Sequence, residues 1–264
     1  MSTPFFAGVG GVVSADIAVP EHDREQAFYA SVLATGTSPL WQEDLLNDRG
    51  MPIVGLGARS PEHEHLPLQW MPHLQVADVG ASVARALALG GEELLHGRDD
   101  AGASQWAVLL DPQGAAFGLI PVIPADALTS GDGNAEDSAE GSGRIARLDL
   151  AVEEAAPIGE FYRDVTGWSL RPFEMEDEGG AYTDYVLLGA EGRPAANLVH
   201  ARGANRGLPP VWRISLPVGD LEESLRRVRQ GGGEVLGVTQ GSAGAVLSAV
   251  VRDPVGVCFG LVRG

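Results

Sequence analysis

The sequence predicts an α+β protein of two tandem domains, each made of paired βαβββ modules whose curved mixed sheet forms a cup. Three repeats predict it. "DPQGAAFGLI" at 111–120 returns as "DPVGVCFGLV" at 253–262, and "WMPHLQVAD" at 70–78 returns as "WRISLPVGD" at 212–220, both 142 residues later. "SADIAVPEHDREQAFY" at 14–29 returns as "RLDLAVEEAAPIGEFY" at 147–162, only 133 residues later, so nine extra residues lie between Tyr162 and Trp212 of the second copy. A long period repeated across most of a chain marks a tandem duplication.

Each half opens on an alternating strand, Asp16–Val19 and Asp149–Val152, followed by a helix. In the second half that helix carries Ile158, Phe161, Tyr162 and Val165 at the i, i+3, i+4, i+7 spacing of one buried face. A second helix follows with Leu221, Leu225 and Val228, capped by Asp220 and stopped by Gly231–Gly233; Asp78, Val83, Leu87 and Gly90–Gly91 repeat it in the first half. The helices cover one sheet face, leaving the other to line a cavity. Residues 1–123 form the first domain and 144–264 the second. The stretch 124–143, rich in Gly, Ser, Ala and acid without apolar periodicity, reads as a flexible acidic linker.

Composition excludes whole classes of function. A net charge of −18, from 36 acidic and 18 basic residues, opposes nucleic-acid binding and favours neutral or cationic ligands. No apolar run is long enough to cross a bilayer and the N-terminus lacks the pattern of a signal peptide, so the expectation is a cytoplasmic protein without a membrane partner. Cys258, the only cysteine, allows no intramolecular disulfide. There is no GxSxG, P-loop or GxGxxG context.

The pieces "DIAV…FYASVL" and "DLAV…FYRDVTGW", "GMPIVGL" and "GRPAANL", the two later helices and the paired "DPxGxxFGL" endings resemble the glyoxalase/bleomycin-resistance/extradiol-dioxygenase group, the vicinal oxygen chelate superfamily, and most of all its two-domain glyoxalase-like branch. Members that do metal chemistry hold a divalent ion with His, His or Gln, and Glu on the cup face. Carried over residue by residue, those positions are Ser14, Met71 and Gly118 in the first half and Arg147, Arg213 and Gly260 in the second. None is a usual ligand, and an arginine repels a cation. The expectation is therefore a site with no metal and no cofactor, in which the two glycines leave the cup floor open.

Period-two alternation places Ser14 with Asp16, Met71 with His73 and Gln75, Arg147 with Asp149, Arg213 with Ser215, and Cys258 with Gly260 on the cup faces. Asp16 and Asp149 are either general bases or partners of a ligand amine, or else structural carboxylates satisfied by main-chain donors or a nearby arginine. His73 is the acid/base candidate of the first half; Ser215 replaces it in the second. "PEHEH" at 61–65 reads as a solvated loop, and Cys258 as a small buried hydrophobe. Trp41, Trp106 and Trp168 are candidates for stacking a flat or cationic ligand, whereas Trp70 and Trp212 alternate towards the helices.

Two functions follow. One is a metal-independent protein that binds an antibiotic or a biosynthetic intermediate, as in self-resistance or secondary metabolism. The resemblance supports it, because bleomycin-resistance members sequester drug without a protein-held metal, and two cups in one chain mimic their homodimer. The other is a metal-free isomerase, cyclase or lyase, or an accessory to an oxygenase, that uses Asp16, Asp149 or His73. Ligand identity, the pairing of the modules, and monomer against homodimer are left open.

Overall fold

The computed structural model describes residues 3–128, 143–242 and 244–264. The linker expected at 124–143 therefore lies mostly outside the described residues.

Four modules follow one another. The first is β1 (Val12–Val19), α1 (His22–Leu33) and β2 (Val54–Ala58); the second is β3 (Met71–Val76), α2 (Val79–Ala88), β4 (Glu92–Arg98), β5 (Ser104–Leu110) and β6 (Ala116–Pro121). The third is β7 (Arg147–Val152), α3 (Ala155–Thr166), β8 (Ser169–Asp177), β9 (Gly180–Leu188) and β10 (Pro194–His200). The fourth is β11 (Trp212–Val218), α4 (Leu221–Gln230), β12 (Glu234–Gln240), β13 (Val246–Arg252) and β14 (Cys258–Arg263). β1–β6 belong to a six-stranded mixed sheet and β7–β14 to an eight-stranded one; neither closes into a barrel.

The missing pair of strands belongs to the first module. Where the third module builds the β8–β9 hairpin, the first has an irregular segment with two isolated bridges, Trp41 to Asn47 and Leu46 to Pro52. The local chemistry explains the difference. "TSPLWQEDLLNDRGMP" mixes proline and turn formers without alternation, whereas "SLRPFEMEDEGGAYTDYVLL" supplies two long runs around a Gly-Gly turn. The nine extra residues of the second half fall within this region.

The chain packs as two compact units, and each takes one module from each half. One unit comprises the described residues of 1–13, Met71–Leu128 and Arg147–Trp212; the other comprises Ser14–Trp70, Arg213–Gly264 and the described residues of 129–146. Within the first unit the strands run β3-β6-β5-β4 and β7-β10-β9-β8, with α2 and α3 on the buried side. Its core centres on Phe117, Phe161, Tyr162, Trp168 and Trp212, packed edge to face. The second unit pairs β1 with β2 and orders β12-β13-β14-β11, around Phe28, Tyr29, Trp70 and Phe259.

The repeated Asp-Pro turns find their reason here. In the first unit Tyr162 donates its hydroxyl hydrogen to Asp111 Oδ2 (3.1 Å) and accepts one from Trp212 Nε1 (2.8 Å), while Asp111 Oδ1 accepts the main-chain N–H groups of Gln113 and Ala115. In the second unit Tyr29 donates to Asp253 Oδ2 (2.9 Å), and Asp253 Oδ1 accepts from Val255 and Val257. Each aspartate closes its own turn and ties it to a helix of the other half. Burial pushes both carboxyls up from the usual carboxylate range despite these donors.

Helix ends follow the sequence signals. Asp78 and Asp220 accept from the main-chain N–H groups of Ala81 and Glu223, and Gly90 and Gly232 follow at positive φ. Among the described residues, no helix is long and apolar enough to cross a membrane.

Candidate functional site

On the sheet face away from α2, strand register lines up four residues: His73 on β3 opposite Gly118 on β6, Val108 on β5 opposite Gly118, and Leu95 on β4 opposite Val108. The fourth module repeats the row as Ser215, Gly260, Val250 and Gly237. The expected open floor at the two glycines is corrected here. A Cβ on Gly118 would lie 2.6 Å from His73 Cδ2, and one on Gly260 would overlap the Ser215 hydroxyl. Each glycine makes way for the side chain of the neighbouring strand, and that side chain takes the space a carboxylate would need. Gly118→Ala is expected to cost about 1–3 kcal/mol through overpacking. His73→Ala should remove most of that penalty in the double variant, a coupling readable from denaturant midpoints.

Other candidates on β3 are structural. Gln75 is fully buried; its amide donates to Phe6 O (2.8 Å), and its carbonyl oxygen accepts from the main-chain N–H groups of Ile123 (2.9 Å) and Gly8 (3.4 Å). Met71 is buried as well. Of the tryptophans proposed for stacking, Trp41 and Trp168 are core residues whose indole N–H groups donate to Pro217 O and Gly10 O, because burial of an indole requires an acceptor. Trp106 alone is open to solvent, at 44% exposure, on the same face as Val108 and over Gly97.

The two equivalent aspartates differ. Asp149 is buried on β7; Arg147 Nε donates to its Oδ2 (3.0 Å) and Asn197 Nδ2 on β10 to its Oδ1 (2.8 Å), the arginine-held arrangement. Asp16, in the other unit, is exposed and stands over Gly55 of β2, where a Cβ would overlap its carboxylate. Ser14 on β1 is half-buried; Arg213, Ser215 and Cys258 are buried on β11 and β14.

The donor set does not fit the divalent ion used by metal-dependent members of the fold. Gly118 and Gly260 have no ligand atom and no room for one, Arg147 is already bound to Asp149, and among the described residues no three His, Cys, Asp or Glu side chains converge. "PEHEH" forms an exposed single turn in which His63 Nδ1 meets Ser60 Oγ (3.2 Å).

The third module carries polar residues that sequence reasoning passed over. On the face it shares with Asp149, register aligns Asn197, Val186 and Arg171 across β10, β9 and β8, then Asp184 opposite Phe173 and Tyr182 opposite Met175. His200, the last residue of β10, places Nδ1 2.8 Å from Oδ1 of buried Asp184, its ring meets Tyr182 at 5.3 Å, and Arg202 lies over the same tyrosine, 4.4 Å from the centroid, with Asp177 gripping it bidentately. The only available signal was alternation of Tyr182, Asp184 and Val186 in a long hairpin. In the same unit a cleft of about 470 Å³ opens between Ala151, Val152 and Glu153 at the end of β7, Ala201, the 207–210 loop and Gln113.

Comparisons with known proteins agree with this architecture. A family model described as a glyoxalase-like domain matches residues 13–120 and 147–262. The anthracycline biosynthesis protein DnrV of Streptomyces peucetius is 27% identical over 129 residues, which are 46% of this chain and 47% of that protein, so the chain spans about half the length of this relative. Among solved structures, a mutant of 4-hydroxymandelate synthase from Streptomyces coelicolor superposes with a TM-score of 0.57 at 13% identity, covering 97% of this chain and 93% of that one. A catechol 2,3-dioxygenase does so at 0.56 and 14%, covering 98% and 94%. At such identities the superpositions speak for fold alone. The paired modules, the duplicated endings and the match over both halves make this chain a member of the glyoxalase-like domain family, with the vicinal oxygen chelate fold.

Proposed function

We propose that the protein binds a flat organic molecule, an antibiotic or an intermediate of its biosynthesis, on its open sheet faces without a protein-held metal ion. One observation carries this reading. Of the six positions that would hold an ion, two are glycines whose space is taken by His73 and Ser215, two are arginines and the others are Ser14 and Met71, while the faces around them keep apolar and aromatic groups such as Trp106. Kinship with an anthracycline biosynthesis protein supports a polycyclic aromatic ligand, and the net charge of −18 suits a neutral or cationic one.

Calorimetric titration with a panel of hydroxylated anthraquinones and aminoglycosylated anthracyclines tests the proposal. At least one compound should bind in the micromolar range or tighter, with the heat unchanged after dialysis against a chelator and the compound recovered intact by chromatography. Binding that disappears with the chelator, or conversion of the compound to a product, would overturn it.

A further inference from the structure

Resting on that ligand reading, we infer that His200, oriented by Asp184, accepts the proton of a phenolic or enolic hydroxyl on the bound molecule, with Tyr182 and Arg202 as its neighbours in the site. Asp184 is 3% exposed, and its Oδ1 accepts both the main-chain N–H of His200 (2.8 Å) and the ring Nδ1–H (2.8 Å). A carboxylate can only accept, so the neutral imidazole carries its ring proton on Nδ1, and Nε2 is then the nitrogen with the lone pair. No described residue hydrogen-bonds Nε2, and the side chain retains 18% exposure. The arrangement is a buried acid orienting an imidazole whose far nitrogen is unused, the geometry that a general base requires.

The surroundings specify the ligand. The Tyr182 ring touches both the imidazole and the Arg202 guanidinium, while Phe173 and exposed Met175 pair with Asp184 and Tyr182 across the hairpin and extend the apolar surface on that face. Arg202 spends Nε and Nη2 on Asp177 and leaves Nη1 as a donor for a developing oxyanion. Ala201, between His200 and Arg202 in the chain, lines the cleft of about 470 Å³, which His200, Tyr182 and Arg202 do not themselves line; the ligand lies on the open sheet face beside it. The step is a balanced transfer. The ligand O–H bond breaks with its electron pair left on oxygen, the proton passes to Nε2, and the imidazolium formed is paired with the Asp184 carboxylate. The first half cannot repeat it, because it lacks the hairpin and has Ala58 at the position of His200. Among the described residues there is one such site.

Quinizarin, 1,4-dihydroxyanthraquinone, is a suitable probe, since its visible band moves to long wavelength when a phenol ionises. At pH 7, where the free dye is un-ionised, one equivalent per chain should bind and show the phenolate band. His200→Asn should lose more than nine-tenths of that band and still bind the dye, with a calorimetric affinity about tenfold weaker. Asp184→Asn, which keeps an acceptor for Nδ1–H but removes the carboxylate charge that pairs with the imidazolium, should also reduce the band. In the wild-type chain with ¹⁵N-labelled histidine, the His200 Nε2 resonance should move from unprotonated to protonated on adding dye, a readout that needs no variant. Binding with an un-ionised spectrum, or a phenolate band that survives in His200→Asn, would overturn the inference and leave the ligand reading standing. No binding of the dye would overturn this inference through the ligand class, and the wider compound panel then decides the ligand reading by itself.

Discussion

Asp111→Ala should lower the melting temperature by about 10 °C, and Asp253→Ala by a similar amount. Each aspartate is 3% exposed and accepts two main-chain N–H groups and one tyrosine hydroxyl. Truncation leaves the tyrosine hydroxyl and one main-chain N–H buried without an acceptor and a second N–H part-buried, a loss of about 3–5 kcal/mol, since an unsatisfied buried donor costs more than its hydrogen bond contributed. For a chain of this size about 2–4 °C accompanies each kcal/mol. Asp111→Asn keeps an acceptor for the turn and should cost about 1 kcal/mol. Thermal melts of the three variants check this; a shift of less than about 3 °C for both alanine variants would show that the Asp-Pro turns are not the ties described.

Glu25→Ile should stabilise the protein, and only above about pH 5. Glu25 lies on α1 with no exposed surface, its carboxylate oxygens have no hydrogen-bond partner among the described residues, and the equivalent residue of the second half is Ile158. Burial first, then the nearby Asp253 and Glu21 against the opposing Arg24, raise its pKa from 4.5 to about 7. An unfolded glutamate ionises near 4.5 while the folded one holds its proton to about 7, so the folded state binds more protons between these values and stability falls as pH rises through them. The loss is complete above about pH 7 and amounts to about 1–3 kcal/mol. Replacing the carboxyl abolishes that slope. The melting temperature should rise by several degrees at pH 8 and change little with the ionisation at pH 4.5. An equal gain at both pH values would show that the carboxyl is not the cause.

Much of this molecule was legible as a pattern. The buried stripes of α3 and α4, the Asp78 and Asp220 caps and the glycine stops lie where the spacing places them, because a helix or strand buries whichever side chains its period puts on one face. The candidate site was less legible. Gln75 was read as facing a ligand, yet it anchors main chain; for Asp149 the sequence left a ligand role and an arginine-held carboxylate side by side, and it is held by Arg147 and Asn197. Alternation gives the face of a side chain, not the partner that reaches it. His200 and Asp184 stand 16 residues apart on antiparallel strands, and their meeting depends on a hairpin register and a strand end that no local signal encodes.

By itself, then, the sequence determined the duplicated module plan and which side chains share a face of each strand. Tertiary structure alone decided that each compact unit joins one module from each half, that the Asp-Pro turns lock onto tyrosines of the opposite half, and that His73 and Ser215 fill the space beside the glycines. The physical reason is that apolar burial is non-directional. A repeated pattern says which face must be covered, whereas near-identical modules offer several surfaces able to cover it, and only close packing with its hydrogen-bond geometry selects one.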